Sequence, residues 1–315
     1  MSALPAKVLL ATDGSEDAAR AAGDLCAKTG AELHVVRAWR LPAATPHPAP
    51  PYLSEPVVDA LERDARRLLE REVGRVEGEG ARDVQVHLRM GTPIDTVLDI
   101  AEEVGAGLAI MGSRGLGPIK RLLLSSVCEG VVHHATLPVL VVRGGDGSWP
   151  PQRIVLGDDG SEAAKNAVEL AALIGRLSGA GGLLVRTYPE MPETDLEERV
   201  WDARLVNDEL RCEERKLEER AGEVSWFLGV RPKVRVAVGD PAACLLEAAE
   251  EDGTPERTLV AVGSRSLGAV GRVRLGSVST NVLRAARGRS WSTRSAVIEA
   301  SFVTFERCSL SMAVM

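Results

Sequence analysis

The chain writes one passage twice. Lys7 to Asp17 reads KVLLATDGSED, and Arg153 to Ala163 reads RIVLGDDGSEA. MGTP, from Met90 to Pro93, returns as VGDP, from Val238 to Pro241. GSRGLGPIKRLLLSSV, from Gly112 to Val127, returns as GSRSLGAVGRVRLGSV, from Gly263 to Val278. Asp13 and Asp159 stand 146 residues apart, Gly91 and Gly239 148, and Gly112 and Gly263 151. Such drift is expected where loops gain residues and the elements between them do not. A period this long marks a duplicated domain, since solenoid repeats run about 20–50 residues. The fold must therefore be one that about 150 residues can complete and a chain can build twice over.

Within the first copy, apolar runs alternate with helix-like segments. KVLLAT is a short buried strand. DGSEDAARAAGDLCAKTG opens with turn chemistry, a Ser15 cap and acids in the first helical turn, and closes on Gly30. ELHVVRAW is a second strand, and LPAATPHPAPPYLSEP is a long proline-rich loop. Val57 to Val76 is an amphipathic helix with Leu61, Leu68, Leu69 and Val73 inward. VQVHLRM, a helix over Thr92–Val104, LAIMG, a helix over Ser126–Ala135 and PVLVV complete the unit. Strands alternating with helices give an α/β fold with a parallel sheet. The expectation is two tandem open parallel-sheet sandwiches with helices on both faces. Aromatic residues make up only 3 % of the chain, so Ala, Val, Leu and Ile must build the core.

In such sheets ligands lie beyond the carboxyl ends of the strands. The Asp-Gly-Ser, Gly-x-Pro and glycine-rich motifs all follow strands, so each copy should collect them on one edge. A glycine-rich stretch between a strand and a helix presents N–H groups and a positive dipole end to an anion. Arg114, Lys120 and Arg121 add cations, and Ser126 with Glu129 has the spacing of a capping box. The spacing is not that of a P-loop, which needs Gly-x4-Gly-Lys-Ser/Thr. Nor is it the dinucleotide fingerprint, which would follow the first strand. What remains is Gly-x2-Gly-x9-Gly-Ser after the fourth strand.

That spacing, together with Asp-Gly-Ser after strand one, resembles the universal stress protein family over both halves of the chain. The resemblance implies a bound adenine nucleotide, ATP in the ATP-binding branch, with Mg2+ as a candidate companion. It implies that Asp13 and Asp159 lie near the adenosine. It implies that a strand-two residue, Val35 and its counterpart Leu184 or Val185, hydrogen-bonds adenine through its backbone. It implies that Gly112, Gly115 and Ser126, and Gly263, Gly276 and Ser277, hold the phosphates. Thr12, Gly14, Gly91, Met111, Arg114, Ser125 and Val127 complete the first candidate set; Gly160, Gly239, Arg265 and Val278 complete the second. Ser125 stands where the third glycine of copy one belongs, and Ser266 where the second of copy two belongs. Serine disfavours positive φ by roughly 1 kcal/mol where that conformation is needed. The resemblance further implies a homodimer or an intramolecular domain pair.

The boundary between copies falls in RGGDGSWPPQ, giving domains 1–145 and 152–289. After the second copy's last helix no PVLVV follows. Residues 290–315 read as an aberrant tail with the last strand lost, and one inserted base after Gly288 would restore Gly-Pro-Val-Leu-Val, a frameshift. A net charge of −7 and few aromatics argue against nucleic acid. No leader and no long apolar run suggest a cytoplasmic protein without membrane insertion. Five widely spaced cysteines fit reduced thiols. His133-His134 lacks ligand-spaced partners, so no metal site is expected, and Asp158-Asp159 suits a turn. No nucleophile stands beside a base, so the chain is expected to be a nucleotide-binding stress-response regulator, not an enzyme. A nucleotide-free dimeric scaffold and a slow adenine-nucleotide hydrolase are the alternatives.

Overall fold

A computed structural model describes residues 4–41, 55–113, 126–142, 149–188, 196–251, 257–264, 276–285 and 296–300. The first copy runs β1 (Lys7–Ala11), α1 (Glu16–Thr29), β2 (Glu32–Trp39), α2 (Glu55–Gly78), β3 (Val84–Met90), α3 (Pro93–Val104), β4 (Leu108–Gly112), α4 (Ser126–His134) and β5 (Val139–Val142). The second runs β6 (Arg153–Gly157), α5 (Glu162–Ser178), β7 (Gly181–Tyr188), α6 (Leu196–Leu228), β8 (Lys233–Val238), α7 (Pro241–Glu250), β9 (Thr258–Gly263), α8 (Ser277–Ala285) and β10 (Ala296–Ala300). The sequence period thus becomes the same element order written twice.

All ten strands join one sheet, ordered β3-β2-β1-β4-β5-β10-β9-β6-β7-β8. Within each copy every pair is parallel. The copies meet at β5 and β10, which pair antiparallel, Val297 opposite Val141 and Glu299 opposite Val139. The two copies are therefore a domain pair within one chain. Leu10, Leu33, Ile154 and Leu184 face a core under α1, α2, α5 and α6. Leu9, Val36, Val155 and Val185 face a second core under α3, α4, α7 and α8. Burial on both faces explains why the central strands β1, β4, β5, β6 and β9 read as apolar runs, while the edge strands β3 and β8 mix polar residues in. Just before the second copy Trp149 is buried, and its indole Nε1 donates to Asp24 of α1 at 2.8 Å.

The expected loss of the second copy's last strand does not hold. Ala296–Ala300 fills the slot between β9 and β5, running parallel to β9 from Ala296 opposite Leu259 to Ala300 opposite Gly263. The reason is physical. An empty slot would leave two strand edges unpaired, and AVIEA carries the Val and Ile that suit a pleated surface.

Helix ends follow the sequence signals closely. Gly30, Gly105 and Gly179 close α1, α3 and α5 in the left-handed region. Thr92, Ser161 and Asp240 cap α3, α5 and α7 through their side chains. Ser15 occupies the cap position of α1 without a side-chain bond. Among the described residues α4 begins at Ser126 and carries Glu129 in its first turn. In copy two the residue before the helix is Gly276, whose carbonyl accepts from Thr280 N–H at 3.0 Å.

Candidate functional site

Each copy's order places β1 beside β4, and β6 beside β9, where the connections leave in opposite directions. A crevice opens there, beyond the carboxyl ends of the strands, as the fold dictates. In copy one it measures about 230 Å³ and is walled by Thr12, Asp13, Val36, Arg37, Ala38, Pro93, Met111, Gly112 and Val127. In copy two it measures about 350 Å³ and is walled by Asp158, Asp159, Val185, Thr187, Gly239, Gly263, Gly276, Ser277 and Val278.

The Asp-Gly-Ser turns form one side. Ser15 N–H donates to Asp13 Oδ1 at 2.9 Å, and Gly14 N–H to Thr12 Oγ1 at 3.2 Å. Ser161 N–H donates to Asp159 Oδ1 at 2.9 Å, and Gly160 N–H to Asp158 Oδ1 at 2.7 Å. Asp158-Asp159 thus has the turn role expected of it. Gly14 and Gly160 hold φ of 93° and 79°, conformations that disfavour a side chain.

Gly112 and Gly263 are glycine for close approach and not for positive φ. Neither has positive φ; each lets the strand end touch the turn opposite. A Cβ on Gly112 would lie 2.6 Å from Ser15 Cβ, and one on Gly263 would lie 2.4 Å from the backbone nitrogen of Ala164.

Among the expected residues, Thr12, Asp13, Met111, Gly112 and Val127 gather around the first crevice. Asp159, Gly239, Gly263, Gly276, Ser277 and Val278 gather around the second. Gly14 and Gly160 lie within the turns, Ser126 opens α4, and Gly91 N–H donates to Trp39 O at 3.0 Å without walling the crevice. Arg114, Gly115, Ser125 and Arg265 lie outside the described residues.

Val35 and Leu184 require correction. Both point into the core on the opposite face, and Val35 lies mid-sheet between Leu10 and Val86. Strand parity turns the backbones of other residues toward the crevices. Thr12 N–H donates to Val36 O at 3.0 Å, so Val36 directs its backbone toward β1. Ala38, two residues on, directs its N–H and C=O the same way, but β1 has ended. In copy two Asp158 N–H donates to Val185 O at 2.9 Å, and Thr187 takes the equivalent place. Ala38 and Thr187 each turn a donor–acceptor pair toward a crevice where no strand lies opposite.

The charges around the turns were not expected either. Glu72 is 3 % exposed on the buried stripe of α2, accepts from Thr12 Oγ1 at 2.9 Å and pairs with Arg75. Arg37 lies near both Glu72 and Asp13, and burial lowers its pKa; among the described residues its Nη1 makes no hydrogen bond. Burial pushes the Asp13 carboxyl up from 3.8 to about 6, the Ser15 N–H opposing and the charge of Glu72 adding. Copy two keeps an arginine, Arg186, at the place of Arg37 but changes the charge at the two positions beside it. Asp158 replaces Thr12 and Arg220 replaces Glu72, at 3.5 Å from each other. Arg186 bonds Glu213 at 2.7 Å and Asp158 at 3.3 Å.

Among the described residues no helix is long and apolar enough to cross a membrane. None of their His, Cys, Asp and Glu side chains form a group of three able to hold a metal ion. Cys26, Cys128, Cys212 and Cys244 form no disulfide, and burial pushes the thiol of Cys26 up to about 12.

A doubled parallel sheet with a crevice at each switch point defines a tandem Rossmann-like protein. The sequence profile of the universal stress protein family matches residues 6–143 and 151–288, and the chain belongs to that family. It is 28 % identical over 263 residues to a universal stress protein of Mycolicibacterium smegmatis, covering 81 % of this chain and 83 % of the relative. Over 142 residues it is 39 % identical to a universal stress protein of Thermus aquaticus, covering 43 % of this chain and 97 % of that shorter relative. The crystal structure of a universal stress protein from Archaeoglobus fulgidus shares its fold, with a TM-score of 0.61 at 21 % identity over 94 % of this chain and 98 % of that one.

Proposed function

We propose that each crevice binds an adenine nucleotide, ATP first among them, and that the chain is a cytoplasmic stress-response regulator whose conformation or partners follow occupancy. The observation that carries this is the pair of backbone edges at Ala38 and Thr187. A donor and an acceptor side by side match the ring nitrogen and exocyclic amine on one edge of adenine. At the other end, α4 and α8 begin at Ser126 and Ser277, so their N-terminal N–H groups suit phosphates. A volume of about 350 Å³ lies within the usual range for a small-molecule site, roughly 300–1,000 Å³. Mg2+ has no protein cage among the described residues; it would enter on the phosphates, its ordinary partners.

Mass spectrometry of small molecules released from the purified protein, with ATP titrated into thermal melts, tests this. An adenylate in the eluate and a melting temperature rising with ATP are expected, since a ligand that binds only the folded state stabilises it by mass action. An empty eluate with an unmoved melt would sink the proposal and favour a nucleotide-free scaffold. Phosphate release should stay at background; turnover abolished by Asp13→Ala would make the protein a hydrolase.

A further inference from the structure

The two crevices share a plan but differ around the first carboxylate. Asp13 is partly buried against Gly112, and a Cβ at that glycine would lie 3.1 Å from Asp13 Oδ1. Its hydrogen-bond donor is the Ser15 N–H. Behind it stand Glu72 of α2 and Arg37 of β2. Arg75 of α2 engages Glu72, Glu16 of α1 and the Gly14 carbonyl, and Arg71 lies near Arg37. The α3 and α4 side contributes Pro93, Val97 and Val127, which are uncharged. In copy two the matching Asp159 is exposed, and the neighbouring Asp158 has Arg186 and Arg220 beside it.

We propose that the first crevice takes up its nucleotide together with a proton, carried on Asp13. This rests on the nucleotide reading above and adds a regulation to it. The reasoning is electrostatic. A polyanion entering a confined site raises the cost of a carboxylate already there, because like charges disfavour ionisation. Arg37 stands between Glu72 and Asp13, and Arg75 is shared between Glu72 and Glu16, so the cations here do not outnumber the acids. The raised Asp13 titration agrees with this geometry, since it leaves the free carboxyl close to taking the proton. Once protonated, Asp13 becomes a hydrogen-bond donor toward a ribose or phosphate oxygen. Affinity of the first crevice should then weaken by up to about tenfold per pH unit as pH rises above 6.

Calorimetric titration with ATP at pH 6, 7 and 8, in buffers of unequal ionisation enthalpy, counts the protons taken up. Wild type and Asp13→Asn are compared, so that the titration of the γ-phosphate, common to both, cancels. At pH 7 the wild type should take up between about half a proton and one proton more than Asp13→Asn. Asp13→Asn should lose the pH slope at one of its two binding steps. Glu72→Gln, with Asp13 in place, should lower the proton count part of the way. ATP binding with equal counts in wild type and Asp13→Asn overturns the proposal. Absence of ATP binding by the wild type overturns the nucleotide reading itself.

Discussion

Replacing Asp13 by Asn should stabilise the protein at neutral pH. The folded carboxyl titrates near 6 against an ordinary 3.8, so its favourable contribution is complete below 3.8 and is lost as pH rises through 6. Above that, the buried charge costs about 2–3 kcal/mol, the free energy of a shift of this size. Thermal melts should show Asp13→Asn above wild type at pH 7.5 and level with it near pH 4; a lower melt at pH 7.5 would contradict this account. The two strand-end glycines make a second prediction at this scale. Gly263→Ala would press a methyl on three backbone atoms of Ala163 and Ala164 at 2.4–2.7 Å, whereas within 3 Å Gly112→Ala meets Ser15 alone, its Cβ at 2.6 Å and its Oγ at 2.8 Å. Gly263→Ala should therefore cost about 1–3 kcal/mol, in the usual range of overpacking, and more than Gly112→Ala in the same denaturation series. Sequence pattern marked both glycines as special. It could not say why, because a glycine kept for close approach and one kept for positive φ are the same letter.

Helix α2 shows what a periodic pattern conveys and where it fails. Its helical period was legible, and of the expected Leu61, Leu68, Leu69 and Val73 the structure buries Leu69 and half-buries the other three; Ala65, Glu72 and Val76 complete the buried stripe on the same face. The signal that could have identified Glu72 is an acid at stripe spacing between Leu69 and Val76. Strand β2 fails differently: HVVRA is apolar toward both faces, so a strand buried on both sides gives no alternation to tell Val35 from Val36. Comparing equivalent elements then yields two predictions. Removing Arg220 leaves the buried Asp158 and Glu169 each short of a cation, so Arg220→Ala should cost about 3 kcal/mol, as broken buried pairs do. Arg220→Met, which keeps the volume, should recover little if charge is the cause; equal stability of Arg220→Met and wild type would show that packing is. The β2–β3 pair holds His34 and His87, their facing nitrogens 3.0 Å apart and their rings stacked. Burial lowers the pKa of each. Their contribution is thus complete above the unfolded value of 6.5 and is lost as pH falls below it. Copy two has Leu183 at the place of His34. His34→Leu should flatten the fall in stability between pH 6.5 and 5, read from melts against pH.

At the scale of the molecule, the doubling and the strand-end position of the site were legible, because whole motifs recur. The closing strand was not: Ala296–Ala300 lies beyond the recurring text and beyond residue 288, where the family match ends. Stopping the chain after Gly288 would bare the facing edges of β5 and β9 together, and such edges recruit other chains. The shortened protein should self-associate in size-exclusion chromatography and melt earlier; a monomer as stable as the full chain would mean β10 adds nothing. The antiparallel seam between β5 and β10 has one more effect. Because strand direction reverses there, the two halves open onto opposite rims of one slab. Were nucleotides to occupy both crevices as proposed, a flat partner resting on either rim would meet only the one on its own side.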